Sequence, residues 1–441
     1  MSHRLFARRA WVAYELLFGL LLILAAQLAS GIELASRLLV NGNFFDADSR
    51  DSVALFGIDT AYGANLDARL TLSDSNDTWS WEIASEFTTL QGDVIENASL
   101  FGGQSSGDAL TLISDNLRAV NLTQNISSGS RHGAVVRIDR AQLAWQRGNL
   151  RAKFGRQALS LGGGIVFNPM DLFNPFAPTA VDRDFKNGVD ALVVSYVGEQ
   201  GSELEFIGVA RTSVSSKRIA ADQGSYGVRY RSTTQWLEYE LVAAQHFDDQ
   251  VIMVGLSGPL AGAAWRANWV GTWHDDEFTQ SFVANIDFAF GVGEQTGYLF
   301  GEYYFNGFGD ARAAEDPSLL DAAATQRLGR GELFVLERNY FSVGGSLSLS
   351  ARTTLSTTAI FNLDDGAPLL QAALAFAPGD NQTLELGVIE ATGGSGDEFG
   401  GIVLEPTMPV LTGTSRQLYL RLVWFISVSY THLTLPTICS V

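Results

Sequence analysis

Cysteine is all but missing from the 441 residues: Cys439 is the only one, and it lies near the very end. A body without thiols fits a compartment where stray thiols would be oxidised. Basic residues are scarce too, 29 against 48 acids, for a formal charge of −19. That balance excludes the basic face that nucleic-acid phosphates require. Of the five histidines, His3 and His432 lie at the two ends, while His132, His246 and His274 have no metal-ligand spacing. No H-E-x-x-H or Walker pattern occurs, so the sequence offers no catalytic, cofactor or metal site and does not read as an enzyme. Long apolar runs are the third shortage. Beyond the first thirty residues none approaches the ~18 that a membrane helix needs.

The two ends differ in kind from the body. MSHRLFARRAWVAYELLFGLLLILAAQLASG has a basic start (Arg4, Arg8, Arg9), an apolar run from Leu16 to Leu28, and small residues after it. That order predicts a cleaved signal peptide over 1–30, cut near Ala26–Ser30. As an uncleaved anchor the run would be short of the ~20 residues a spanning helix needs. Residues 31–51 read as an N-terminal periplasmic segment or a first strand. At the far end, Ser429–Thr437 (SYTHLTLPT) matches the translation of a transposon-based sequencing adapter, so 428–441 is expected to be a non-native tail.

What fills the body is a period of two. In Ser281–Gly291, Phe282, Ala284, Ile286, Phe288 and Phe290 share one face, with Ser281, Asn285 and Asp287 on the other. QLYLRLVWF sets Leu418, Leu420, Leu422 and Trp424 opposite Gln417, Tyr419 and Arg421. Such alternation means strands with one apolar and one polar face. A soluble sandwich alternates as well, but these segments run to about ten residues or more, the span of a tilted transmembrane strand. Aromatics gather near segment ends (Trp79, Trp81, Trp236, Trp265, Trp269, Tyr303, Tyr304, Trp424), as they do at membrane interfaces. Only a closed barrel gives every strand N–H and C=O a partner in lipid.

The fold expected over 52–427 is therefore all-β, a transmembrane antiparallel up-and-down β-barrel in the outer membrane of a Gram-negative bacterium. Strands are read at 52–60, 64–73, 77–90, 132–146, 149–157, 187–198, 201–212, 223–232, 235–246, 249–258, 261–273, 279–292, 294–306, 337–350, 351–363, 367–377, 381–392 and 415–427. That makes eighteen, or sixteen if the first one or two do not span; bacterial barrels use even numbers. Short turns at 64–66, 148–150, 198–202 and 233–235 would face the periplasm. The connections 91–131, 158–186, 307–336 and 393–414 would lie outside or fold inward, with a short helix over 314–328 and Pro317 in its first turn. Expected partners are outer-membrane lipid, small solutes or ions and the barrel-insertion machinery; a homo-oligomer is compatible with this reading.

With Leu150, Ala152 and Phe154 toward lipid, Arg151 and Lys153 point into the lumen. Arg140 on the preceding strand points the same way, and Arg156 continues toward the mouth. Arg137 and Asp139 fall off that register and require a bulge. Arg140, Arg151, Lys153 and Arg156 would then form a pore-lining basic ladder; the plainer alternative is polar lining, salt-bridged to acids such as Glu203, Glu205 and Asp139. In the connection 158–186, GGGIVFNPMDLFNPF (Gly162–Phe176) is too apolar for an exposed loop and too proline-broken for a strand. It is expected to fold inward as a constriction containing Asn168, Pro169, Asp171, Phe173, Asn174, Pro175, Phe176, Asp182 and Asp184. Its carboxylates would face the ladder, as in charge-selective pores. The alternative is an apolar cap on the outer rim.

Gly155-Arg156-Gln157, Gly162–Gly164, Phe167-Asn168-Pro169, Asp171–Phe176 and Asp182-Arg183-Asp184-x-Lys186-x-Gly188-x-Asp190-Ala191-Leu192 together resemble a segment of porin-type outer-membrane barrels, including alginate-export-like channels. The resemblance implies a channel with this segment as its inward loop. It carries no substrate with it. The function expected is passive passage of small hydrophilic or charged solutes. The alternatives are a narrow or plugged barrel moving polymeric or hydrophobic cargo, such as an anionic polysaccharide, and a barrel with an enzymatic, structural or adhesive role.

Overall fold

The computed structural model describes residues 32–46, 60–93, 115, 117–173, 185–213, 216, 218–405, 410–412 and 416–427. The expected signal peptide, the tail 428–441, nearly all of the expected strand 52–60, and Asn174, Pro175, Phe176, Asp182 and Asp184 lie outside them. The strands are β1 (Glu33–Asp46), β2 (Thr60–Ser75), β3 (Trp79–Gly92), β4 (Thr123–Gly129), β5 (His132–Arg147), β6 (Leu150–Gln157), β7 (Val189–Val197), β8 (Glu203–Val209), β9 (Ser225–Thr233) and β10 (Glu238–His246). They continue with β11 (Asp249–Leu260), β12 (Ala263–His274), β13 (Glu277–Val292), β14 (Gln295–Phe305), β15 (Asn339–Ser350), β16 (Thr353–Asn362), β17 (Pro368–Gly379), β18 (Gln382–Ala391), β19 (Ile402–Glu405), β20 (Val410–Thr412) and β21 (Arg416–Ser427).

All but β4, β19 and β20 form one antiparallel ring of eighteen. It closes where β21 pairs with β1, from Asp46↔Arg416 to Ala35↔Ser427, so the ring has no edge. β4 runs beside the upper part of β5, and β19 and β20 make a separate small hairpin. Within 31–51, expected as a periplasmic segment or a first strand, Glu33–Asp46 forms a strand, and one expected turn is corrected. The strand that closes the barrel is β1, where Asn41, Gly42 and Asn43 blur the alternation of LLVNGNFF; Arg37, Leu39 and Asn41 are buried while Val40 and Phe44 are exposed. Residues 64–66 are no turn but lie inside β2, with Asn65 buried. The turn comes at 75–79, where Asn76 Oδ1 accepts the N–H groups of Thr78 and Trp79 at 2.9 Å.

Around the outside, alternate residues form an apolar belt: Phe154 is 68 % exposed, Leu386 59 % and Tyr196 53 %. Exposure on that scale suits hydrocarbon, not water. Trp236, 77 % exposed at the β9–β10 turn, and Trp79, opposite Trp145 at the β2–β3 turn, mark the short-turn rim. Tyr304 is a correction: it faces inward, 5 % exposed, and serves no girdle. The helix also starts later than expected. Pro317–Leu319 is a separate 3₁₀ turn, and α1 (Ala322–Arg330) begins after Asp321, whose carboxylate accepts the Ala324 N–H at 2.6 Å. A side-chain oxygen at that position satisfies an orphan N–H that Pro317 could not address.

The inner wall has two characters. On β7 to β12 it is apolar, with Ala191, Val193, Ile207, Val242, Met253 and Val270 buried in one cluster. On β1 to β5 it is charged. The Arg37–Asp67 ion pair, Arg69–Asp139 at 2.9 Å, Arg137 Nε–Glu86 at 2.6 Å and Arg140–Asp139 at 2.5 Å tie four strands together. A barrel open to water throughout has no reason to place valine inside. Something must cover that half.

Candidate functional site

The cover is the connection after β6. Leu161, Met170 and Phe173 complete the apolar cluster of β7 to β12, so GGGIVFNPMDLF lies in the lumen against the wall and is not a rim cap. Gly162 has φ +75°, and a Cβ there would come within 2.5 Å of Asn168 Oδ1. At Gly164 a Cβ would lie 1.8 Å from the Phe167 carbonyl oxygen. The turn that brings the loop inward thus closes too tightly for a side chain at Gly164. Gly164→Ala is expected to displace the loop, costing ~1–3 kcal/mol; protease cutting within 158–173 of the folded barrel, absent in the parent, is the measurement.

The loop reaches the opposite wall. Glu302 of β14, eight strands round the ring from β6, accepts three successive backbone N–H groups: Ile165 at 2.6 Å, Val166 at 3.0 Å and Phe167 at 2.7 Å. Asn285 of β13 supports the clasp, donating from Nδ2 to the Gly163 carbonyl at 3.0 Å and to Glu302 at 3.1 Å. The Phe167 ring stacks on Tyr304 at 4.7 Å and tilts against Tyr340 at 5.4 Å. The returning end is tied to β5: Arg140 donates to the Lys186 carbonyl at 2.7 Å, and Asp139 accepts the Gly188 N–H at 2.9 Å. Phe185 lies over the guanidinium planes of Arg37 and Arg69, 4.9 and 4.6 Å from each carbon, a cation–π arrangement.

The residues expected from sequence separate into groups here. Arg151 is exposed and Lys153 half-buried. Both line a cavity of 390 Å³ on the short-turn side of the loop, together with Glu203, Glu205 and Arg229. Those two glutamates are taken by other strands, Arg231–Glu203 at 2.6 Å and Arg229–Glu205 at 3.0 Å. Among the described residues, Arg151 and Lys153 have no ion-pair partner.

Arg140 is different, 7 % exposed and committed to Asp139 and the loop. The bulge needed beside it falls at Asp139, which has no partner on β3 between Ile138 and Arg140. Arg156 is a correction. It is 1 % exposed, held by Asp115 and Asp190 at 2.9 Å each and by the Val120 and Ile138 carbonyls. Gly155, at φ +113°, precedes it, and Arg156 joins the wall to Asp115 and Val120 instead of lining the lumen.

Asp171 is also placed differently from expectation. It is 4 % exposed and ion-paired with Lys186 at the loop's own far end, so it does not face the ladder across open lumen. Burial raises its carboxyl to about 6, against the pull of Lys186. Asn168 donates to the Leu161 carbonyl at 2.8 Å, fastening the loop to itself, and Phe173 packs edge-on against His246. Pro169 lies beside a second cavity of 350 Å³, on the long-loop side, roofed by Leu333, Phe334 and Val335.

Three functional positions escaped the sequence reading. Arg69 and Asp67 were visible in principle, opposite Leu66, Leu70 and Leu72 in one alternating run. Glu302 sits inward between Gly301 and Tyr303, but nothing local says that an inward acid will meet backbone N–H groups from residues 135 or more positions away.

No protein-family model matches the chain, and no curated protein matches it. Solved structures do. OccAB3 of Acinetobacter baumannii aligns with TM-score 0.51 and 11 % identity, over 89 % of this chain and 99 % of that one. OccAB1 of the same organism gives 0.51 and 9 %, over 91 % and 97 %. A BenF-like porin from Pseudomonas fluorescens Pf-5 gives 0.51 and 10 %, over 90 % and 99 %. At such identities the likeness concerns the fold.

Proposed function

We propose that the protein is an outer-membrane channel for passive passage of small hydrophilic or charged solutes. The observation that carries this reading is the loop clasped across the lumen by Glu302, with a cavity on either side of it. A wall that only had to stand in lipid would not need a loop held from its far side. The nearly full-length fold likeness to a porin supports the same reading. On this reading the short turns face the periplasm, the long connections face outward, and Arg151 and Lys153, without an ion-pair partner among the described residues, belong to the inner vestibule. The finer proposal, that Gly155–Leu192 makes this an alginate-export-like channel, would be tested by flux of an anionic oligosaccharide. Insertion by barrel-assembly machinery and a homo-oligomeric state belong to the same proposal.

Reconstitution in planar bilayers is the direct test. Steady ohmic conductance is the expected result. Folded, heat-modifiable protein that inserts and never conducts would overturn the reading in favour of a plugged, structural or enzymatic barrel.

A further inference from the structure

Where three outer connections meet, between the ends of β15 to β18, Glu337, Asp365 and Glu398 converge on one amide. Asn362 Nδ2 lies within hydrogen-bond distance of all three, 2.7 Å from Glu337, 3.0 Å from Glu398 and 3.1 Å from Asp365. Each acid comes from a different connection: Glu337 from 306–338, Asp365 from 363–367 and Glu398 from 392–401. Two amide hydrogens cannot serve three acids at once, so one carboxyl can hold a proton of its own here, and every donor that reaches the six carboxylate oxygens is neutral. The remaining ones are the N–H groups of Ala314, Leu336, Ala367 and Glu398 and the Tyr340 hydroxyl, which reaches Glu398 at 2.5 Å.

Glu337 is 1 % exposed and Glu398 6 %, and among the described residues neither has an ion-pair partner; nor does Asp365. The other charged groups nearby are acids, Asp364 and Asp397. Arg338, next to Glu337 in the chain, turns away to the Gly309 carbonyl and Asp310. Buried carboxylates without a cation are costly when ionised.

Tyr340 connects this junction to the constriction. Its hydroxyl also accepts the Glu337 N–H at 2.8 Å, while its ring packs against Phe167 of the inward loop. We propose that Glu337, Asp365 and Glu398 form a proton-held latch that joins three outer loops and, through Tyr340, steadies the constriction loop. Protonated, the junction is closed. Once ionised, three acids facing only neutral donors and further acids repel one another, and the loops part.

The pH window follows from burial, which raises Glu398 to about 8 and Glu337 to about 7, with Asp365 raised as well. A carboxyl raised above its ordinary 4.5 favours the closed junction in its protonated form. That contribution is complete below the ordinary value and lost as pH rises through about 7 and about 8.

The test is amide hydrogen exchange on the folded barrel in detergent, corrected for the intrinsic rise of exchange with pH. Protection of the Ala314, Leu336, Glu337 and Glu398 amides should fall about tenfold between pH 7 and 9, one proton's worth of linkage. The Ile165–Phe167 amides should lose protection with them. Glu337→Gln with Glu398→Gln should keep the junction closed throughout, and Tyr340→Phe should leave the constriction amides indifferent to pH. Constant protection of the parent protein from pH 6 to 9 overturns the latch, and loss at the junction without loss at 165–167 overturns the coupling. The coupling rests on the channel reading only for its consequence in conductance: exchange reports on the latch even if the protein never conducts, whereas silent bilayers with a working latch count against the channel alone.

Discussion

Replacing Arg151 and Lys153 together by glutamate is expected to move the reversal potential of the proposed channel toward cation preference. These two bases line the cavity on the short-turn side of the loop, and among the described residues neither has an ion-pair partner, since Glu203 and Glu205 are already paired with Arg231 and Arg229. A unit charge met at 4 Å in water is worth about 1 kcal/mol, roughly a fivefold bias in local ion occupancy. Reversing two such charges compounds that bias. The shift should be largest in dilute salt and shrink as the Debye length falls to about 3 Å near 1 M. Arg156→Gln provides the contrast: it should leave selectivity alone and weaken the wall, since Arg156 is locked by Asp115 and Asp190. A reversal potential that ignores the glutamates would remove Arg151 and Lys153 from the conducting path.

Removing the clasp should have the largest effect on conductance. Glu302→Ala leaves the N–H groups of Ile165, Val166 and Phe167 without an acceptor, at ~1–3 kcal/mol for each one that stays buried. Stacking of Phe167 on Tyr304, worth about 0.5–1.5 kcal/mol beyond its buried area, cannot offset three orphaned donors. The loop is expected to leave the wall, and single-channel conductance should approach that of a 165–180 deletion. Glu302→Gln keeps one acceptor oxygen and should fall between. Parent-like conductance in Glu302→Ala, with the deletion still conducting more, would mean that the apolar seat alone holds the loop.

That seat explains where the sequence was legible and where it was not. Alternation located most of the strands, because lipid on one face imposes period two wherever the other face is polar. It was least informative on β7, VDALVVSYV, where Leu192, Val194 and Tyr196 face outward and Ala191 and Val193 face the loop. Both sides are apolar there, for different reasons. At β1 the trouble was the reverse, since Asn41, Gly42 and Asn43 left little contrast between faces. On β5 and β6 the sequence pattern makes the four bases of the ladder look equivalent. Arg140, Arg151, Lys153 and Arg156 all carry a positive charge in or near the right register, yet among the described residues only Arg140 and Arg156 have ion-pair partners.

By itself the sequence determined the barrel and marked the stretch after β6 as neither strand nor exposed loop, because each follows from local chemistry; an inward fold and a rim cap both remained open. Period two sets the faces, and an apolar stretch broken by glycine and proline can be neither strand nor exposed loop. Which charges remain free was decided only by the tertiary structure. Pairing depends on neighbours brought together from distant strands: Asp190 and Asp115 for Arg156, Lys186 for Asp171, Glu302 for the loop's own backbone. Composition can count such groups, but only the closed ring determines which of them meet.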